Sequence, residues 1–507
     1  MLVARRIASE PGIRDASAVM ATEANRKALA GMGYGDDGHD QDFAAAGPND
    51  LVLAIEGETA AIDSVIARAD CYFARGSGPA AGVDVAPEPR SIAQALAERP
   101  DCSVAVISVP GEHAAREARA ALAAGLHVFI FSSNVSVEDE RALKSEARDC
   151  GLVVMGPDCG TAYLGGAGIG FANAVRRGPI GIVAASGTGM QEFASLVHRA
   201  GSGISSGIGT GSRDLTDAIG GVSTMAGLDA LEADPSTRVI ALVSKPAGVA
   251  TTDALAQRIA RCAKPVVACL LGADSGDSDA LRSVSSIDEA VCSALRAVGA
   301  NEPAFLQIDE RRMRERAQSE TEKMHPQQHY VRGLFAGGTL CYQAQAIFRR
   351  ARLRVYSNSP LLGMPELADP CVSRDSAFVD MGAETFVHGR PHPMIDATER
   401  RLRLGQEGSD PSVGVILLDF ILGAIASPDP TGDLLDRIRE VRDAARASGR
   451  HLCVAASVCG TEDDRQSLQR QVRALEDAGV LVFASSAQAA IFAREAALLL
   501  ARGGGCA

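Results

Sequence analysis

The amino-acid sequence predicts an α/β protein made of several units with parallel sheets, and three observations carry that expectation. Apolar runs at 103–109, 127–131, 181–185, 239–244, 265–271 and 415–418 alternate with amphipathic stretches, the pattern of strands covered on both faces by crossover helices. Two runs, ending Ala185-Ser186-Gly187-Thr188-Gly189 and Phe335-Ala336-Gly337-Gly338-Thr339, enter small-residue turns that open helices. With 507 residues the chain exceeds what one hydrophobic core covers, so about three or four domains are expected.

Residues 1–75 read as a small N-terminal α/β domain. It has a helix over 14–29, a Gly/Asp-rich loop at 31–38, a strand at 50–55, a helix at 58–67 and a closing strand at Cys71-Tyr72-Phe73. Asp36, Asp37, His39, Asp40 and Asp42 around that loop offer ligands for a hard cation, but a solvated loop has the same make-up and is the expectation. Residues 75–89, rich in Gly and Pro, read as a linker.

Residues 90–178 alternate helix and strand: helices at 92–98, 114–124 and 137–150, strands at 103–109, 127–131 and 152–155. In such a sheet ligands bind at the carboxyl ends of the strands. That singles out the loops Val109-Pro110-Gly111, Ser132-Ser133-Asn134 and Gly156-Pro157-Asp158-Cys159-Gly160-Thr161. Residues 179–300 form a second parallel unit, and 275–330 read as a charged, exposed helical bridge.

Residues 330–500 then repeat the order of 179–300. The Gly337 turn answers the Ser186 turn. Asp410-Pro411-Ser412 before the 415–418 run answers Asp234-Pro235-Ser236 before the 239–244 run, and 452–457 answers 266–271. Two related halves facing each other are expected.

Composition excludes several classes. A net charge of −13, 4% aromatics and no tryptophan argue against nucleic-acid binding. The twelve cysteines form no Cys-x-x-Cys pair, so no metal centre is expected, and those inside apolar runs read as small hydrophobes. No run approaches the ~20 apolar residues of a membrane span, and no secretory signal is visible. A cytoplasmic protein is the expectation.

The helix-opening turns suit an anion, because first-turn N–H groups lack intrahelical acceptors and the helix dipole is positive there. Ser186, Gly187, Thr188 and Gly189 form one candidate cradle, and Gly337, Gly338 and Thr339 its counterpart; the bland alternative is tight-turn geometry. Gly209, Thr210, Gly211 and Arg213 form a neighbouring loop in which Arg213 either clamps a carboxylate or makes a surface salt bridge. Lys245, at a strand end, either neutralises phosphate charge or is simply solvated. His392 and Asp396 are spaced as a base with its orienting partner, or as an ordinary loop-fixing pair.

With these residues in view, the chain resembles the succinyl-CoA synthetase superfamily over about residues 90–500, and most closely its FdrA branch. Gly156-Pro157-Asp158-Cys159 looks like the Gly-Pro-Asn-Cys segment of the CoA-binding α subunit, and the Ser186 turn looks like that subunit's second domain. Residues 331–500 look like the ligase domain of the β subunit. Ser108–Glu112, Gly166–Asn173, Gly207–Gly211 and Gly389–Asp396 look particular to FdrA.

The resemblance implies a CoA-binding Rossmann-like domain followed by two flavodoxin-like ligase-type domains. It implies CoA as a possible cofactor, with Pro110, Asn134, Gly156, Pro157, Asp158 and Cys159 at a CoA-like site. It also implies an oligomer with possible partner subunits, and a small anionic substrate: phosphate, carbamoyl phosphate or a CoA ester. Two departures stand out. The loop Leu271-Gly272-Ala273-Asp274-Ser275-Gly276 lacks the phosphorylated histidine of the synthetases, and Lys245 falls where they carry an acid. No nucleotide-binding grasp domain is present in residues 1–75. The implied activity is carbamoyl transfer between oxalurate and phosphate, with acyl-CoA synthesis or a non-catalytic ligand-binding subunit as alternatives.

Overall fold

The computed structural model describes residues 2–31, 34, 45–47, 50–73, 89–272, 284–388 and 390–503. Strands β1 (Ile13–Met20) and β2 (Leu51–Gly57) of the N-terminal unit pair antiparallel, with helices Glu23–Gly31 and Thr59–Ala67 beside them. The helix expected over 14–29 therefore starts only at Glu23. Pairing with a strand some thirty residues away, Ala16 opposite Ile55 and Ala18 opposite Leu53, outweighs local helix propensity there. Cys71-Tyr72-Phe73 is likewise not a strand but the end of a short helix, Ala69–Phe73, which buries Tyr72 with Ile7 and Val65. The acidic loop residues Asp36, Asp37, His39, Asp40 and Asp42 and most of the expected linker lie outside the described residues.

The next unit is a parallel sheet in the order β3 (Val104–Ile107), β4 (His127–Ile130), β5 (Val154–Met155). Ser136 caps the helix Val137–Asp149 by accepting the Asp139 N–H, and Glu138, Asp139 and Glu140 complement the dipole. The hairpin β6 (Thr161–Leu164) and β7 (Ala167–Gly170) lies within the span assigned to this unit but leaves it for the following sheet. There Tyr163 pairs antiparallel with Gly207 of β9.

That following sheet runs β11 (Val266–Leu270), β10 (Val239–Ser244), β8 (Arg177–Ala184), β9 (Ile204–Gly209), β6, β7. The last sheet runs β13 (Tyr356–Ser357), β14 (Ala377–Asp380), β12 (Tyr330–Phe335), β15 (Val413–Ile421), β16 (Cys453–Cys459), β17 (Leu481–Phe483), all parallel. The repeat is thus physical: β9-β8-β10-β11 in one sheet corresponds to β14-β12-β15-β16 in the other. Even the lead-in turns match, with Asp234 accepting from the Ser236 N–H (2.9 Å) and Asp410 from the Ser412 N–H (2.8 Å).

One apolar core spans both halves. It joins Ile182, Phe193 and Val243 of one sheet's layer to Phe335, Leu340, Phe348 and Phe492 of the other's. The expected exposed bridge belongs partly to it. Helix Ile287–Ala297 buries Ile287, Val291 and Leu295, an i, i+4, i+8 stripe that composition alone concealed.

Candidate functional site

In each six-stranded sheet the chain leaves the second-lead strand, β8 or β12, and returns to neighbours on both sides, so its carboxyl end is a topological switch point. Both glycine-rich turns sit there. Helix Gly187–Arg199 follows β8, and helix Gly338–Arg350 follows β12.

The first mouth is open. Ser186 has an extended backbone and its hydroxyl accepts the Gly189 N–H at 3.1 Å, which makes it an N-cap. The first-turn N–H groups of Gly187 and Thr188 have no acceptor in the helix. A Cβ on Gly187 would stand 3.4 Å from Thr161 Oγ1 and 3.5 Å from the Gly160 Cα. Thr161 is fully buried and its hydroxyl has no hydrogen-bond partner. A Cβ on Gly189 would stand 3.0 Å from Thr339 Cγ2 of the other half. Ser186 Oγ and Thr339 Oγ1 share a hydrogen bond, so the two mouths open on one cleft.

The second mouth is bordered by acids. Asp419 accepts the Ala336 and Gly337 N–H groups, each at 2.7 Å, and pairs with Arg400 at 3.1 Å. Asp380 Oδ1 accepts the Gly382 N–H at 3.0 Å, while a Cβ on Gly338 would stand 2.5 Å from Asp380 Oδ2. Burial pushes the Asp380 carboxyl up to about 6, against the pull of Lys245. Burial also raises Asp419, with Arg400 opposing. Asp419 thus takes two donors that precede the helix, while the N–H groups of Gly338 and Thr339, like those of Gly187 and Thr188, have no acceptor within their helix. The second cradle differs from the first in having two carboxylates beside it.

Lys245 follows β10, with its Nζ 4.9 Å over the Tyr342 ring. It makes no ion pair within 4.0 Å among the described residues, yet its charge opposes the rise that burial gives Asp158 and Asp380. Asp158 has a left-handed backbone (φ 56°) and donates its N–H to Ser132 O at 3.0 Å. It remains solvent-reached at the rim, but the protein around it raises its carboxyl, with Ser212, Arg213 and Lys245 opposing.

The loops of the smaller sheet close one side of the cleft. Gly156 and Pro157 are buried; Pro110 and Asn134 are exposed at the ends of neighbouring loops, which the Ser132 hydroxyl ties through Val109 O at 2.5 Å. Gly211 (φ 87°) lies against Pro157 O so closely that a side chain would not fit. Thr210 is buried and its carbonyl accepts from Lys144 Nζ at 2.9 Å; Gly209 packs on Cys159. Burial pushes the Cys159 thiol up to about 12, which leaves it un-ionised at neutral pH.

At two positions where the sequence leaves alternatives, the structure shows the plainer one, an ion pair at Arg213 and loop-fixing hydrogen bonds at His392 and Asp396. Arg213 is committed to Glu140 (3.0 Å) and Val135 O (2.7 Å), across the boundary between two units, so its fork is not held open for a bidentate carboxylate. Asp396 accepts the Thr398 N–H at 2.9 Å and does not orient His392. His392 Nδ1 instead accepts the Met394 N–H at 3.2 Å, which puts the proton of the neutral ring on Nε2. That ring packs 5.6 Å from Phe171, and burial lowers it to about 4, with Arg400 acting in the same direction.

Sequence reasoning passed over Asp380, Asp419, Arg400, Tyr342 and Thr161. The acids did leave a signal. Asp380 ends the apolar run Ala377-Phe378-Val379, and Asp419 interrupts a strand in which every residue is buried. A separate cavity of about 370 Å³ lies by Tyr330, Phe348 and Asp375, at the opposite end of β12, and none of the candidate residues lines it.

Switch-point helix mouths on two open sheets are the setting in which α/β proteins bind ligands, and residues 334–496 match the CoA-ligase family. Residues 1–87 match the family described as AllF, heavy metal-associated domain. The chain is 39% identical over 500 residues to the uncharacterized protein YahF of Escherichia coli (strain K12), covering 98% of this chain and 95% of that one. It belongs to the YahF family.

Among solved structures it is similar to the dinucleotide forming acetyl-coenzyme A synthetase 1 of Ca. Korarchaeum cryptofilum in complex with phosphate and ADP. That match has 17% identity, covers 79% of this chain and 83% of that one, and has a TM-score of 0.27. ATP citrate lyase of Methanothrix soehngenii in complex with citrate and coenzyme A is similar at 21% identity over 42% of this chain and 38% of that one, with a TM-score of 0.33.

The name of the N-terminal family raises a metal, and the residues do not fit one. Residues 1–87 contain one cysteine, Cys71, and one histidine, His39. A soft metal calls for paired thiolates or imidazoles. Among the described residues no three His, Cys, Asp or Glu side chains converge. No described helix is long and apolar enough to cross a membrane.

Proposed function

We propose that the cleft transfers a carbamoyl group between oxalurate and phosphate, giving oxamate and carbamoyl phosphate, as an FdrA-type protein of allantoin breakdown. The observation that carries this reading is the Ser186–Thr339 contact, which sets an open anion-suited helix mouth beside an acid-lined one in a single cleft. A match to an AllF family over residues 1–87 supports the same context.

In the reaction a phosphate oxygen attacks the terminal carbamoyl carbon of oxalurate. The new C–O bond forms, the C–N bond to the oxamoyl nitrogen breaks, and that nitrogen takes up a proton. The open N–H groups of Gly187 and Thr188 hold phosphate without reorganising, and Lys245 offsets its charge. Neutral His392 offers an N–H, not a base. The reading places the protein in the cytoplasm, in keeping with the eleven described cysteines, all free.

A second reading, acyl-CoA synthesis, is favoured by the CoA-ligase match over 334–496. In that reading CoA or its ester reaches the cleft along the Pro110, Asn134 and Gly156–Cys159 loops. Purified protein mixed with oxalurate and phosphate, and separately with acyl acid, CoA and nucleotide, tests both. Carbamoyl phosphate release supports the first and acyl-CoA the second. Activity only after partner subunits are added makes this chain a ligand-binding subunit, and silence in every mixture overturns the proposal.

A further inference from the structure

We propose that Asp380 makes the cleft selective for a substrate with one anionic end and one uncharged, N–H-bearing end, refusing a ligand that is anionic at both. The inference rests on taking the Ser186 mouth as the anion site. Two independent features point to a ligand at that mouth: the donors of Gly187 and Thr188, and the buried, unpartnered Thr161 hydroxyl beside Gly187.

Across the cleft the corresponding position is occupied by carboxylate. Asp380 is almost wholly buried, with one oxygen spent on the Gly382 N–H and the other, Oδ2, set against Gly338 at the helix opening. A carboxylate oxygen can only accept hydrogen bonds. An amide or ureide –NH2 gives it two donors; a second carboxylate or phosphate meets like charge.

The groups facing Asp380 leave it as the titrating gate. Lys245 from the end of β10 opposes the rise of Asp380, Asp419 from β15 is tied to Arg400, and the Cys341 thiol from the facing helix is pushed far up and stays neutral. His392, against Gly382, is neutral above about 4, and Asp158 acts from the rim. Protonation of Asp380 removes the repulsion, so a doubly anionic ligand is admitted only as the pH falls.

Calorimetric titration with the pair oxamate and oxalate, singly and doubly anionic from pH 8 to 5, provides the test. Wild-type protein should prefer oxamate over oxalate by at least roughly tenfold at pH 7.5, between the sizes expected for one unit charge about 4 Å away in water and in a protein interior. Asp380→Asn should remove that preference. Oxalate affinity should rise by a similar factor in wild type between pH 8 and 5 and stay nearly level in Asp380→Asn.

Equal oxamate and oxalate binding in wild type, or the same pH slope in both proteins, overturns the proposal. A slope lost in Asp158→Asn but kept in Asp380→Asn overturns it too. No binding of either anion at any pH removes instead the anion site on which it rests. If Asp380→Asn fails to fold, Asp380→Ser answers the same question.

Discussion

The two helix mouths grow from the same strand-turn-helix pattern and differ in what they face. Behind the Ser186 turn stands an uncharged wall, Gly160 and Thr161, and the first-turn donors stay free. Behind the Gly337 turn stand Asp380 and Asp419, and the donors of Ala336 and Gly337 are consumed. A repeated backbone therefore does not repeat its surroundings. One mouth has an uncharged wall beside it, while the other has Asp419 on the donors just before its helix and Asp380 against Gly338.

The sharpest way to break that contrast is at Arg400, whose guanidinium holds Asp419 and also donates to Leu334 O (2.9 Å) and Asp419 O (2.7 Å). Arg400→Met leaves a buried carboxylate without its cation and should cost about 3–5 kcal/mol of stability, read by urea denaturation. Arg400→Met combined with Asp419→Asn should recover part of it. A loss below about 1 kcal/mol for the single change would mean that the second mouth does not depend on this pair.

Protons test the same side. The folded Asp380 carboxyl, at about 6, lies above its ordinary value near 3.8, so the folded state keeps a proton that the unfolded chain has released. Its contribution is fully present below about 4 and is lost as the pH rises to about 6, at up to about 1.4 kcal/mol per pH unit. His392 acts with the opposite sign: held near 4, it favours the folded state above about 6.5 and this is lost as the pH falls toward 4. Asp380→Asn should gain stability over wild type progressively from pH 4 to 6, and His392→Gln should flatten the loss on the acid side, both read from pH-dependent denaturation. An unchanged profile in Asp380→Asn would show that its carboxyl is not raised.

Much of the arrangement was legible in the chain itself. The alternation of apolar runs exposes the parallel units because each buried strand and helix signals locally, and the small-residue turns stand out at their junctions. Partners across the fold were not legible. β1 forms because β2 is available, the hairpin 161–170 joins a sheet whose central strands lie further along the chain, and Arg213 turns to Glu140 on a helix seventy residues earlier. His392 and Asp396 are close in sequence, yet the intervening turn sends their hydrogen bonds to Met394 and Thr398. The acids of the second mouth were written in the sequence as interruptions of apolar strands, but only the neighbouring Gly337 turn gives them a meaning.

At the line between the mouths, Gly189 is closely packed. A Cβ there would stand 3.0 Å from Thr339 Cγ2 and 3.0 Å from Val243 Cγ1, closer than packed carbons sit. Alanine would gain about 1 kcal/mol of helix propensity, but pushing the halves apart costs about 1–3 kcal/mol. Gly189→Ala should therefore be destabilised by about 1 kcal/mol and should bind phosphate more weakly. A stabilised Gly189→Ala with unchanged phosphate binding would show that the seam yields freely and that the mouths are not held in register by contact.

The smallest expected effect isolates the contact that joins the mouths. Ser186→Ala removes both the cap on Gly189 and the hydroxyl facing Thr339, so it should cost about 1–2 kcal/mol. Thr339→Val keeps the shape and removes only the shared hydrogen bond, so it should cost about 1 kcal/mol or less. The double variant then separates cap from contact: a coupling of about 0.5–1 kcal/mol belongs to the bridge between halves, and the remainder of the Ser186→Ala loss belongs to the helix end. If the two changes simply add, the hydroxyls are neighbours without being partners. The two mouths would then be held together by the apolar core beneath them alone.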